Sequence, residues 1–62
     1  MKTVIIEYAT ISPAILANRI CKQCHCLAMY RDLNEDCFEL TVYGFCYPSE
    51  IAKAENILAE YV

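Results

Sequence analysis

Most of the side chains here that can bind a metal or carry thiol chemistry fall in one string, Cys21-Lys22-Gln23-Cys24-His25-Cys26. It holds three of the five cysteines and the sole histidine. Four chemistries use such groups at such spacing. Zinc takes four thiolate or imidazole ligands in a tetrahedron, and Cys21, Cys24, His25 and Cys26 offer four soft ligands within six residues. Strong zinc sites usually pair two separated clusters, however, and only the isolated Cys37 and Cys46 remain to supply a second. Cys21 to His25 also matches the C-x-x-C-H pattern of haem attachment, which requires export and an axial partner. A C-x-x-C pair serves thiol redox chemistry at a helix N-terminus, where the dipole lowers the first thiol's pKa. Here the pair falls near a helix C-terminus, where the dipole opposes a thiolate. The fourth reading is structural, because free cysteine packs as a small hydrophobe and is among the most buried residue types. That reading takes the weight: no cofactor is expected, and a zinc-binding or thiol-redox module on Cys21, Cys24, His25 and Cys26 stands as the alternative.

These residues must be positioned by the elements around them. Thr3 to Ala9 alternates, with Val4, Ile6 and Tyr8 on one side and Ile5 and Glu7 on the other, which predicts a strand. Ser12-Pro13 is a helix start, a capping side chain followed by a proline at the first helical position. The helix should run to about Cys24. Leu16, Ala17, Ile20, Cys21 and Cys24 share its inner arc, Ile15 falls on the polar side, and His25 stands at its end. Cys26 to Arg31 and Cys37 to Phe45 read as two further strands around the polar turn Asp32-Leu33-Asn34-Glu35-Asp36. Phe38, Leu40 and Val42 point one way in the later strand. In the earlier one Leu27 and Met29 are expected inward, because Ala28 would leave a hole. A one-residue slip of register reverses that assignment. A second helix is expected from Pro48 to about Tyr61, with Ile51, Ala54, Ile57, Leu58 and Tyr61 facing in.

The order β-α-β-β-α predicts one α+β domain, residues 1–62. It should be a two-layer sandwich with a three-stranded mixed sheet, in the order first, third, second, and both helices on one face. This is the ferredoxin-like arrangement lacking its last strand. Two helices cover one face only. The other should carry Ile5, Ala9, Ala28, Tyr30, Thr41, Tyr43 and Phe45, with Cys26 and Cys37 on the same side, and contiguous apolar surface of that kind marks a partner site. Tyrosine is well suited to it, burying a ring while keeping a polar tip wet.

Charge adds an orientation. Residues 1–31 carry Lys2, Arg19, Lys22 and Arg31 against Glu7. Residues 32–62 carry Asp32, Glu35, Asp36, Glu39, Glu50, Glu55 and Glu60 against Lys53. The net −3 argues against nucleic acid and anionic membranes as direct ligands, and no apolar run approaches the roughly 20 residues of a membrane span. Glu7 interrupts any secretory leader, so reduced cysteines in the cytoplasm are expected. No glycine-rich phosphate loop, nucleophile elbow or metalloprotease helix is present. A non-enzymatic protein-interaction module or inhibitor is therefore expected, of the kind that phages and mobile elements direct at host or defence complexes. Ile5, Tyr30, Tyr43 and Phe45 would make contact and Asp32, Glu35 and Asp36 would steer a protein partner. A homodimer through the open face or an edge strand, and a subunit completing a larger complex, are the neighbouring expectations.

Overall fold

A computed structural model describes the whole chain, Met1–Val62. The elements follow in the order β1 (Lys2–Glu7), α1 (Pro13–Cys24), β2 (Leu27–Asp32), β3 (Cys37–Tyr43) and α2 (Ser49–Ala59). β3 lies between β1 and β2 and runs antiparallel to both. The two outer strands point the same way, as a helical connection demands, but they do not touch. Every ladder is therefore antiparallel, and the sheet is antiparallel rather than mixed.

The alternation in β3 separates the two faces. Phe38, Leu40 and Val42 are wholly buried, and with Ile6 they form the sheet side of the core. Leu16, Ile20 and Cys24 of α1 and Ala54, Ile57 and Leu58 of α2 close over them, so both helices occupy one face. Burying a side chain of this size contributes about 1.5–3 kcal/mol before entropy, and so small a domain has few of them. α1 begins after Ser12, whose backbone is extended and whose carbonyl accepts from Leu16, although its hydroxyl makes no cap. It ends at His25, a left-handed residue at φ 48°, ψ 51°. Histidine is among the few non-glycine types enriched in that region.

Two inward assignments differ from the sequence reading. In β2, Ala28, Tyr30 and Asp32 stand opposite Val42, Leu40 and Phe38, so these face the helices, while Leu27 and Met29 face away. The small Ala28 lets α1 pack against β2, so the anticipated hole is filled by the helix. In α2, Ile51 is exposed at 42% and Glu50 is buried. The helix starts at Ser49, one residue after Pro48, and its first turn meets the end of α1 where Glu50 Oε1 lies 3.5 Å from His25 Nδ1. A side-chain fork from Arg19 to Glu60 (2.9 Å) and to the Tyr61 hydroxyl ties α1 to the end of α2.

Candidate functional site

The open face is set by the β2–β3 hairpin. The Leu33 and Asn34 amides both donate to the Cys37 carbonyl, at 3.2 and 3.4 Å. The Asn34 Oδ1 accepts from the Asp36 and Cys37 amides at 2.7 and 3.1 Å. This Asn-centred turn leaves three residues, Asn34, Glu35 and Asp36, between the closing pair Leu33 and Cys37. Every β2 residue therefore faces a β3 residue of its own parity, and Leu27, Met29 and Arg31 join Tyr43, Thr41 and Glu39 on the open face. β1 adds Thr3 and Ile5 opposite Thr41 and Glu39.

The face divides along its length. One end carries Leu27 beside Tyr43 and Met29 beside Thr41, whose hydroxyl bonds that of Thr3 at 3.1 Å. Leu27, Met29 and Ile5 are 56%, 58% and 57% exposed. The other end is ionic, with Arg31 Nε 2.9 Å from Glu39 Oε1 and Glu7 beside Cys37. Of the contact residues read from sequence, Ile5 and Tyr43 are on this face. Tyr30 is not: it faces the helices and meets the Phe38 ring edge-on at a centroid distance of 6.4 Å. Phe45 is not either. The strand ends at Tyr43, Gly44 turns at φ 65°, and the lost alternation lets Phe45 pack against the core. Cys26 is buried in the core, not on the open side, and its thiol donates to the Ile20 carbonyl at 3.7 Å. Leu27 and Met29 were missed as surface residues. The signal that could have found them is Asn34, whose turn chemistry selects the register.

Asp32, Glu35 and Asp36 are exposed at the hairpin tip. Asp32 and Glu35 border a shallow, wide-open depression with Tyr8 and Asn34. Leu27 stands at the opposite end of β2, about 17 Å away at the rise of an extended strand. The acidic residues and the Leu27–Tyr43 pair are therefore at opposite ends of the β2–β3 hairpin.

The thiol string is taken apart by the end of α1. Cys24 is buried on the helix, His25 turns out at the left-handed cap, Cys26 returns to the core and Cys21 is half-buried. Burial, then Glu50, pushes the Cys24 thiol up. Burial, then the neighbouring Cys21, Cys24 and Cys46, pushes Cys26 up to about 11. Neutral sulfur is favoured at both, the opposite of a nucleophile or a ready ligand. No three His, Cys, Asp or Glu side chains converge where they could hold a metal ion. His25 instead makes structural contacts: its carbonyl accepts from the Cys46 amide at 3.1 Å and its ring meets Tyr47 edge-on at 5.9 Å. Its Nδ1 lies 3.5 Å from Glu50 Oε1, which Lys53 approaches to 3.3 Å, while Glu50 Oε2 is buried without a partner. No helix is long and apolar enough to cross a membrane. Compared with protein-family models, with curated proteins and with solved structures, the sequence has no match in any of the three.

Proposed function

We propose that this chain is a non-enzymatic protein-interaction module that docks an apolar protein surface onto the Leu27–Tyr43 end of its open sheet face. The observation that carries this is the exposure of Leu27, Met29 and Ile5 on a face that no element of the chain covers. Leaving three such side chains a little over half exposed forgoes burial worth about 1–2 kcal/mol each, which a partner recovers on docking. Tyr43 supplies an aromatic anchor beside Leu27, and the Arg31–Glu39 pair, with Ile5 across β3 from it, gives one side a polar rim of the kind found around interface cores.

The test uses three baits side by side: the native chain, Met29→Glu, and Ile15→Glu. Ile15 is equally greasy and exposed but stands on α1. A partner of this face is retained by the native and Ile15→Glu baits and lost from Met29→Glu. Its affinity falls about tenfold or more with Leu27→Ala or Tyr43→Ala, the loss expected of a central contact. Binding indifferent to Met29, Leu27 and Tyr43 would overturn the reading.

A further inference from the structure

We infer that the free edge of β1 is a self-association surface, on which a second copy of this chain adds its own β1 in antiparallel register to make a six-stranded sheet. The argument starts from the hydrogen-bond parity of the ladder. The Tyr8 amide donates to the Asp36 carbonyl at 2.9 Å, continuing the register that pairs Ile6 with Phe38 and Val4 with Leu40. In an antiparallel ladder alternate residues direct both backbone groups to the same neighbour. Lys2, Val4, Ile6 and Tyr8 therefore bond β3, and Thr3, Ile5 and Glu7 present theirs to the outside. The Glu7 carbonyl is taken by the Thr10 amide at 3.0 Å, which leaves Thr3 and Ile5 as the open stretch.

The two sheet edges differ in how they are guarded. β2 carries Arg31 and Asp32 on its edge and has α1 packed against it. β1 has no proline, no bulge and no charge between Lys2 and Glu7, and its core is the β-branched run Thr3-Val4-Ile5-Ile6. Native proteins seldom leave such an edge bare. Beside it, on the helix side, runs a groove of about 230 Å³ lined by Lys2, Val4, Glu55, Leu58, Ala59 and Val62.

Charge selects the orientation, and the two open residues, Thr3 and Ile5, complement each other across a two-fold axis, which a second copy supplies. β1 has a cation at its start and an anion at its end. Antiparallel pairing with a second β1 keeps the two Lys2 side chains, on the helix side, and the two Glu7 side chains, on the open face, at opposite ends of the seam, whereas in-register parallel pairing would stack like charges side by side. The register follows from parity. A two-fold axis beside Val4 puts Thr3 of each copy opposite Ile5 of the other, so four backbone hydrogen bonds form between the groups left open. The two Val4 side chains meet on the helix side at the mouth of the paired grooves. On the open face each Ile5 comes beside the second copy's Thr3, so the two exposed faces become one. A single three-stranded face spans roughly 300 Å², well below the ~800 Å² per partner of a standard interface, and pairing doubles it.

Sedimentation equilibrium under reductant, from micromolar to millimolar chain, tests this. The native protein should pass from the 7.1 kDa chain to twice that mass. Total synthesis with an N-methyl group on Ile5, which blocks only an outward amide, should leave the monomer at every concentration with an unchanged circular dichroism spectrum. Thr3→Pro should do the same, and Met29→Glu should still dimerise. A readout that needs no variant is hydrogen exchange of the native chain, where the Thr3 and Ile5 amides should slow about tenfold or more as concentration rises. A native chain that stays monomeric, exchange at Thr3 and Ile5 independent of concentration, or a dimer that survives N-methylation and dissolves with Met29→Glu would overturn the proposal. The last result would place pairing on the open face instead.

Discussion

Cys26 is the residue whose environment departs furthest from its sequence-level promise. It belongs to the string richest in ligands, yet it sits in the core with its thiol aimed at the Ile20 carbonyl. Its folded pKa, about 11, lies above the ordinary 9.0, so folding favours the neutral form. The stabilisation is fully present below pH ~9 and is lost as pH rises through about 11, on the order of 2 kcal/mol. Urea unfolding at stepped pH should show stability falling across that window, and Cys26→Ala should flatten the fall. A thiol-specific reagent at neutral pH should label exposed Cys46 first and Cys24 and Cys26 only on unfolding. Glu50 is the other residue whose burial was not foreseen. One carboxylate oxygen meets Lys53 and His25, whose side chains are mostly exposed, and the other meets nothing. A buried charge so incompletely paired costs more than it returns. Glu50→Met should therefore leave stability unchanged or raise it by about 1 kcal/mol in urea unfolding. A clear loss would mean that the carboxylate's contacts outweigh its desolvation.

At the scale of elements, the hairpin turn decides what the molecule presents. Asn34 holds the three-residue loop through two backbone amides, and that loop length fixes the parity of β2 against β3. Replacing it with alanine removes both bonds and should cost about 1 kcal/mol. Nuclear Overhauser contacts between Tyr30 and Phe38 should weaken as the register loosens. Gly44 plays the matching part at the other end of β3. At φ 65° an alanine is strained, and its Cβ would come within 3.4 Å of the Leu27 side chain. Gly44→Ala should cost about 1–2 kcal/mol, measured by thermal unfolding. Much of this architecture was legible beforehand. Pro13 and His25 mark the ends of α1, the alternation of Phe38, Leu40 and Val42 marks the core face, and the strand order follows from one helical connection and one hairpin. The faces of β2 were not legible from side-chain size, because Ala28 and Tyr30 look like a poor inner pair until α1 is known to fill the space beside Ala28. Phe45 and Ile51 fail for a related reason. Each lies where one periodicity stops, just past Gly44 and in the first turn of α2, and pattern alone does not carry across a boundary.

At the scale of the molecule, the separation of apolar and acidic ends limits how charge can act. The molecule extends 34 Å along its long axis, and β2 alone carries the chain about 17 Å from Leu27 to Asp32. At physiological ionic strength fields decay over about 8 Å, so the tip acids are some two screening lengths from the docking end. At ~0.01 M salt the screening length grows to about 30 Å, and the roughly 17 Å between the tip and the docking end lies well inside it. Asp32→Asn, Glu35→Gln and Asp36→Asn together should then slow association with a basic partner several-fold at low salt and less than about twofold at ~0.15 M, leaving dissociation unchanged, because steering acts on the encounter. Stopped-flow mixing with the Met29-dependent partner reads both rates. If the triple variant speeds dissociation at physiological salt, the tip touches the partner directly. The docked surface would then run the full length of the hairpin, across the Arg31–Glu39 pair, rather than stop at Tyr43.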